Sequence, residues 1–239
     1  MKKRRLWIVS LTSAALLVTT GGAATAAPDY ELALWTMNER PGSRTMRDVT
    51  GHGFDGRIGE DVAVGLRSGD RTAYGFDRLE PDTPPAHPGH LVIVPDADRL
   101  NPGSRDYAID LRLRTRDFFG NIVQKGQATV RGGSFKLQIP NGKVQCWFRG
   151  SRTSLLVTAP RPINDGEWHT VRCERTGDGV TLAIDGREVA SREGWTGPID
   201  NSWPVAIGGK TDCDQVDVGC DYFHGDIDYI AVDVEESDW

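Results

Sequence analysis

The sequence predicts an all-β fold in which two antiparallel sheets pack face to face as a sandwich. Short runs in which apolar and polar residues alternate recur along the chain, and Gly, Asn, Asp and Pro separate them. Stretches with helical periodicity are few. Because one side of each alternating strand is apolar, two such sheets can bury their apolar sides against each other.

The first 26 residues have the layout of a secretory signal peptide. Four basic residues precede an apolar run from Leu6 to Val18, and the small residues Ala24-Thr25-Ala26 follow. The run is shorter than the roughly 20 residues that a membrane-spanning helix needs, so we expect cleavage rather than an uncleaved anchor. The expected organisation is a signal peptide over 1–26 and one extracellular domain over 27–239, with no membrane span after cleavage.

The charge of the expected mature chain argues against nucleic acid as its partner. The full sequence of 239 residues has a net charge of −6, and residues 2–5 contribute four positive charges. Removal of the signal therefore lowers the net charge to about −10. An acidic domain is repelled by a phosphate backbone, whereas nucleic-acid-binding domains are typically basic.

The predicted strands follow one another along the whole mature chain. They lie in YELALWTM (30–37), HLVIVP (90–95), DYAIDLRLRT (106–115), SFKLQIPNGKVQCWFRG (134–150), SLLVTA (154–159), GEWHTVRCERTGDGVTLAIDGREV (166–189), PVAIGG (204–209) and DIDYIAVDVE (226–235). Within 134–150, Asn141-Gly142 predicts a two-residue hairpin turn. The Pro-rich stretch 79–90 predicts a loop inside the domain, because the strands before it are too few to build a core alone.

The four cysteines favour disulfides in an exported chain. Four cysteines allow three pairings, and the short loop between Cys213 and Cys220 favours a bond between these two. Cys146 and Cys173 both lie on the apolar side of an alternating strand, so a bond between them is geometrically reasonable. It would close a loop worth roughly 3 kcal/mol in the chain-entropy model. A zinc site is less favoured, because the sequence has no Cys-x-x-Cys pair.

A set of short motifs resembles the laminin G-like domain of the concanavalin A-like lectin and glucanase superfamily. In chain order the motifs are LALWTMNE, DVTGHGFDGRIG, NIVQKG, DGEWHTVRCER, VTLAIDGREVA, VAIGGK and YFHGDIDYIAV. The resemblance covers nearly the whole mature chain. It implies a jellyroll of two curved antiparallel sheets that binds glycans or acts in adhesion, often with calcium. It also implies that Trp168, at the start of a strand, is a packing residue.

One polar strand face is a candidate binding site for a carbohydrate. Trp147 alternates with the apolar residues of its strand and has Gln145 and Arg149 as outward neighbours. Sugars bind through stacking on such rings and a few placed hydrogen bonds. Three arginines have the same outward parity, namely Arg112, Arg114 and Arg172. Together these side chains would form a basic face that suits an acidic glycan; the alternative is that all of them are ordinary solvated residues.

Two sets of carboxylates are candidate calcium ligands, because calcium takes oxygen ligands. The first set lies in the stretch TDCDQVDVGCD, whose shape the second cysteine pair would hold: Asp212, Asp214, Asp217 and Asp221. The resemblance implies a second site that joins the early strands to the final one, with these candidates: Glu39, Asp48, Asp55 and Asp228. Asp228 has a core-facing parity and needs a partner. The alternatives are a solvated acidic loop, and an Asp228 that accepts backbone hydrogen bonds.

The sequence predicts binding rather than catalysis. Glucanases of the superfamily have a Glu-x-Asp-x-x-Glu triplet, whereas the nearest feature here has Asp226 and Asp228 but Ala231 in the third place. Hydrolase, metalloprotease and phosphate-loop motifs do not occur. We therefore expect a secreted, calcium-associated module that binds a carbohydrate. The alternatives are a glycoside hydrolase that uses the two aspartates, and a protein-binding adhesive or structural cell-surface module.

Overall fold

The architecture is the two-sheet sandwich that the sequence predicts. A computed structural model describes residues 31–69, 71–127, 130–213 and 219–235. In this part of the chain, sixteen strands form two eight-stranded sheets in which every pairing is antiparallel. The expected signal peptide lies outside the described residues.

The first sheet is built around the long final strand. Its members are β1 (Glu31–Trp35), β4 (Ala63–Ser68), β5 (Arg71–Phe76), β7 (Asp106–Arg114), β12 (His169–Arg175), β13 (Gly179–Ile184), β14 (Arg187–Glu193) and β16 (Gly225–Glu235). The strand order is β14-β13-β12-β7-β16-β5-β4. β16 pairs with β7 along one edge, and β5 and β1 share its other edge.

The second sheet runs in the order β11-β10-β9-β8-β15-β6-β3-β2. Its members are β2 (Thr45–Met46), β3 (Gly56–Ile58), β6 (Val92–Val94), β8 (Asn121–Lys125), β9 (Ser134–Gln138), β10 (Gln145–Arg149), β11 (Ser154–Thr158) and β15 (Val205–Ile207). The Pro-rich stretch links β5 of the first sheet to β6 of the second. It is therefore a crossover between the two sheets.

The core lies between the sheets and contains the apolar residues that strand alternation assigns to it. In β7, Ile109, Leu111 and Leu113 are fully buried, and in β10 the same holds for Cys146 and Phe148. Strand residues between them point to the opposite, outer side of each sheet. The predicted segregation of side chains is confirmed in both sheets.

A disulfide crosses the core and joins the two sheets. Cys146 of β10 bonds to Cys173 of β12, and the two Cα atoms are 5.7 Å apart. The second bond links Cys213 to Cys220 and closes the short loop that the spacing indicates. Both pairings agree with the prediction, and every cysteine of the chain is oxidised.

The predicted two-residue turn at Asn141-Gly142 is wrong. β9 and β10 pair from Gln138 opposite Gln145, so six residues connect the strands. Asn141 does adopt the left-handed conformation, with φ of 56°. However, the Gly142 amide donates to the Phe118 carbonyl at 2.9 Å. Tertiary contacts with the neighbouring loop therefore outweigh the local turn preference.

Asp185-Gly186 forms the two-residue turn that joins β13 to β14. The φ angles of the two residues are 51° and 73°, and Ile184 pairs with Arg187 across the turn. This is the left-handed turn whose twist matches that of antiparallel strands. The described residues contain no helix long and apolar enough to cross a membrane.

Removing the disulfide that joins the sheets should cost more stability than removing the loop disulfide. The cysteines of the first bond are 27 residues apart and those of the second are 7 apart. Loop-closure entropy then gives roughly 3.5 kcal/mol for the first and roughly 2.4 kcal/mol for the second. We expect this order when C146A/C173A and C213A/C220A are compared by urea unfolding. A larger loss for C213A/C220A would contradict the assignment.

Candidate functional site

The two outer surfaces of the sandwich differ in how their charges are compensated. The arginine face is the outer side of the first sheet, around Arg112, Arg114 and Arg172. The tryptophan face is the outer side of the second sheet, where β8, β9, β10 and β11 lie side by side. The six predicted ligand-binding residues are divided between these faces, which lie on opposite sides of the core. The expectation of one common basic surface is therefore wrong.

On the arginine face, each arginine pairs with acidic side chains of the same sheet. Arg114 Nε donates to Asp226 Oδ2 at 2.7 Å, and Arg112 pairs with Asp228. Arg172 pairs with three acids, namely Asp110, Asp233 and Glu174. The face is a network in which each of these three cations already has an acidic partner, and this compensation of charge disfavours an anionic ligand there.

Asp228 reaches Arg112 because β16 has a bulge. The pairing of β16 with β7 shifts between Ile227 and Tyr229, and such a shift changes the side to which the following residues point. Asp228 is fully buried, as its parity suggested. The described partner of its Oδ2 is nevertheless Arg112 of the outer face, and its Oδ1 is buried without a hydrogen-bond partner among the described residues. The hydrolase alternative loses support, because Asp226 and Asp228 each pair with an arginine.

Burial against a second carboxylate raises the pKa of Asp110 to about 6. Desolvation is the largest cause, and the nearby Asp233 adds to it. Arg172 acts in the opposite direction but does not cancel them. Asp110 therefore takes up a proton in the folded protein at mildly acidic pH.

Trp168 packs on the arginine face and not in the core. Its ring centre lies 4.6 Å from the Arg112 guanidinium carbon and 4.9 Å from that of Arg114. The expected packing role thus consists of contacts with two arginines. Next to this cluster, Arg114, Asp226 and His224 line an open cleft of about 430 Å³.

The neighbouring His169 stands at the mouth of the β12–β13 hairpin, between two carboxylates. Its ring nitrogens lie 2.8 Å from Asp185 and 3.2 Å from Asp165. A cleft of about 680 Å³ opens beside it, lined mainly by aliphatic residues of the first sheet and of the segment that follows β11. The described lining contains no Ser, Thr, Cys or Lys side chain, and the polar partners of His169 are the two carboxylates.

The tryptophan face has an aromatic side chain among amides. Trp147 of β10 is partly buried, and its indole nitrogen donates to Ser154. In the next row, Gln138 donates to Gln145 at 2.6 Å and Gln145 donates to Thr158 at 3.1 Å. These amides cross three adjacent strands beside the ring. The arrangement provides an apolar ring with polar groups at its side, which suits a sugar.

Sequence reasoning missed Lys136, which lies directly opposite Trp147 in the neighbouring strand. Its ammonium is 5.0 Å from the centre of the indole ring. The signal was the alternation of Phe135, Lys136 and Leu137, which directs the lysine outward. That signal could not reveal its neighbour, because the register of β9 against β10 is not a local property.

Arg149 and Gln145 are both on the tryptophan face, as predicted. The guanidinium of Arg149 is occupied by backbone carbonyls, whereas the amide of Gln145 lies where a ligand can reach it. The Arg149 guanidinium donates to the carbonyls of Gln127 and Val130, at 2.8 and 2.7 Å. Arg149 thus holds a neighbouring loop. Gln145 lies beside Trp147, and its amide takes part in the row of exposed polar groups.

The early-strand carboxylates do not fit a calcium site. Asp48 accepts hydrogen bonds from the amides of Leu34, Thr50 and Phe54. Burial raises the pKa of Asp48, but these bonds and the Thr50 hydroxyl bring it below its usual value. Asp55 pairs with Arg47. Asp48 thus acts as an acceptor for the amides of its own loop, and Asp55 is the counter-ion of Arg47.

Glu39 and Asp228 complete the predicted early-strand set, and they do not join it as metal ligands. Glu39 accepts from the Arg47 amide at 2.8 Å and from the Tyr74 hydroxyl. Asp228 pairs with Arg112 on the arginine face. Over the described ranges, no group of three or more His, Cys, Asp or Glu side chains is placed to hold a metal. The predicted calcium site at these four residues is not supported.

The acidic loop is only partly described. Asp214 and Asp217 lie outside the described residues, so calcium at this loop stays a prediction. Asp221 contacts the Lys210 ammonium at 2.5 Å and the Asn121 amide at 3.3 Å. The Asp212 carbonyl accepts from Gln127 at 2.7 Å. These contacts attach the loop to the edge of the tryptophan face.

The match to a family model agrees with the fold. The laminin G domain model matches residues 113–235, which is 123 of the 239 residues. The chain therefore belongs to the laminin G domain family, as the motif order indicated.

Curated relatives share the same part of the chain. Sex hormone-binding globulin of Phodopus sungorus is 28% identical over 126 residues, which is 51% of this chain and 31% of that protein. Neurexin-3-beta of Homo sapiens is 28% identical over 138 residues, which is 51% of this chain and 20% of that protein. The match thus spans less than a third of these relatives.

Solved structures resemble the chain over most of its length, at identities that support the fold alone. Domain 4 of AbnA, an extracellular arabinanase from Geobacillus stearothermophilus, gives a TM-score of 0.60 at 16% identity, covering 87% of this chain and 94% of that one. The binding domain of botulinum neurotoxin DC gives 0.62 at 11%, covering 88% and 49%.

Replacement of Asp110 by Asn should flatten the acid side of the stability profile. The folded state holds a proton on Asp110 up to about pH 6, whereas the ordinary carboxyl value is 3.8. The wild-type contribution is thus present below about pH 4 and is lost as the pH rises through 6. We expect D110N to lose this decrease in urea unfolding at pH 4, 5, 6 and 7.

The control for this experiment is Asp178→Asn, at an exposed turn of the same sheet. It should keep the wild-type profile, because Asp178 lies outside the Arg172 network. If the free energy of unfolding changes equally with pH in wild type and D110N between pH 4 and 6, Asp110 does not hold the proton.

Proposed function

We propose that the chain is a secreted, non-catalytic module that binds an oligosaccharide on the tryptophan face. The observation that supports this most directly is Trp147 beside the amide row of Gln138 and Gln145. A sugar ring can contact the indole while its hydroxyls exchange hydrogen bonds with the amides. The two disulfides are consistent with an exported protein.

The two outer faces differ in a way that favours the tryptophan face. On the arginine face, each of these cations already has a carboxylate partner, as in the pairs of Arg112 with Asp228 and Arg114 with Asp226. A ligand there would have to break charge pairs that are already formed. On the tryptophan face, a ligand meets an aromatic ring and amides with hydrogen-bonding capacity to spare.

Two structural relatives make a saccharide a reasonable class of ligand. The AbnA domain was solved in complex with arabinotriose, and the neurotoxin domain in complex with SialylT. Because these likenesses extend to the fold alone, the proposal depends on Trp147 and its neighbours. Calcium association belongs to the proposal only at the acidic loop of Asp212 and Asp221.

A protein-binding role is the second candidate, and exposed aromatic residues on loops favour it. Phe118 is 67% exposed and Trp195 is 44% exposed. Large aromatic side chains on the surface are typical anchors of protein interfaces. Trp195 also packs against Arg152, at 5.1 Å. These residues provide the control for the main experiment.

Loss of Trp147 should weaken glycan binding without unfolding the domain. We expect wild type to bind a glycan array of neutral and acidic oligosaccharides, and reducing-sugar assays to show no turnover. Trp147→Ala removes the stacking surface, which is worth about 1 kcal/mol or more, and should weaken binding at least fivefold by titration calorimetry. Its melting temperature should stay close to that of wild type, because the ring lies outside the core.

The matched control is Trp195→Ala, which removes an exposed tryptophan from a loop. It should leave glycan affinity unchanged. Loss of binding in W195A but not in W147A would move the site to the loops. Absence of glycan binding together with capture of a defined protein through Phe118 or Trp195 would favour the second candidate.

A further inference from the structure

In the part of the chain that the structure describes, no carboxylate contacts the ammonium of Lys136. Among the described residues, its ammonium has no hydrogen-bond acceptor or carboxylate partner, and its contact is the Trp147 ring. The other lysines near this sheet are different. Lys125 contacts Asp96 and two carbonyls, and Lys210 contacts Asp221 and a carbonyl. Lys136 alone of these three has no acceptor for its ammonium among the described residues.

The surroundings of Lys136 disfavour its charge in the unliganded protein. Burial lowers the pKa of its ammonium to about 8, and the nearby Lys210 acts in the same direction. Asp221 acts in the opposite direction, but it is already paired with Lys210. The strands on either side contribute Gln124 and Trp147, which are neutral. An anionic group placed here would be stabilised by a donor that is partly desolvated and unpaired.

We infer that Lys136 binds the carboxylate of a uronic acid within an oligosaccharide that occupies the tryptophan face. The inference rests on the proposed function and specifies its ligand class. The ammonium lies 5.0 Å from the indole centre, so one sugar unit can reach both groups. In a uronic acid the carboxylate is attached directly to the sugar ring, so the ring can lie on the indole while the carboxylate contacts the ammonium. The amides of Gln138 and Gln145 lie next to the pair and can bind the ring hydroxyls.

The acidic specificity expected from the sequence is thus assigned to a different residue. Arg112, Arg114 and Arg172 are engaged by carboxylates on the opposite side of the molecule. Lys136 provides a single uncompensated charge at the aromatic ring. Replacing Lys136 should therefore remove the preference for an acidic ligand and leave the other side chains of the tryptophan face in place.

The experiment compares acidic ligands with neutral counterparts of the same chain length. The probes are oligosaccharides of glucuronate and galacturonate, and the same compounds after carboxyl reduction, titrated calorimetrically at pH 7. Wild type should bind at least one acidic probe tenfold or more tightly than its reduced form. Lys136→Met should bind both forms equally, with the affinity that wild type has for the reduced form.

Two variants separate the role of the charge from that of the side chain. Lys136→Arg retains a cation and should retain most of the preference for the acidic probe. Arg67→Met removes one exposed cation from the opposite sheet and should behave as wild type. Preference retained in K136M, or lost in R67M, would overturn the inference.

Two further readouts distinguish ligand recognition from a structural role. The preference of wild type should decrease as the pH rises from 7 through 8 to 9, whereas K136R should keep its preference over this range. The melting temperature of K136M should equal or exceed that of wild type, because the substitution removes a desolvated, unpaired charge. A marked decrease in melting temperature would identify Lys136 as a structural residue.

The outcomes also separate this inference from the proposed function. Binding of the reduced and acidic probes with equal affinity by wild type, and its loss in W147A, would retain the glycan site and reject the role of Lys136. If wild type binds none of the probes, acidic or reduced, the inference is rejected. A full array without hits would reject the glycan function as well.

Discussion

The bond between Cys146 and Cys173 is the constraint on which the arrangement of both surfaces depends. It joins β10 of one sheet to β12 of the other through the core. Since side chains alternate along a strand, an inward cysteine requires outward neighbours. Trp147 and Arg172 are such neighbours, and they must therefore point away from each other on opposite sides of the sandwich. One covalent contact thus separates an aromatic face from a charged one.

The arginine face shows how an exposed sheet surface can satisfy its own charges. Arg114 and Asp226 are direct cross-strand partners, and so are Arg172 and Asp110. Opposite charges placed directly across neighbouring strands attract, and several such pairs form a network here. Single exposed ion pairs contribute little stability. Their consequence here is that the charges of these arginines are already compensated before any ligand arrives.

The tryptophan face has the opposite character, since its lysine has a ring rather than a carboxylate as its neighbour. Burial of an unpaired ammonium disfavours folding, so Lys136 is a local cost that packing elsewhere must offset. The inter-sheet core is large enough to do so, with members in both sheets. A stable scaffold with one uncompensated charge beside an aromatic ring is a physically reasonable basis for selective binding.

The sequence by itself determined the features that depend on neighbours along the chain. Period-two alternation predicted the buried set of β7 and β10 and the inward direction of both core cysteines, because side-chain direction in a strand is local. Only the tertiary structure decided the features that depend on strand order and register. The bulge before Tyr229 gave Asp228 an arginine partner, and the pairing of β9 with β10 brought Lys136 to Trp147. Register joins residues distant in sequence, and its energy is distributed over the whole sheet, so no short motif encodes it.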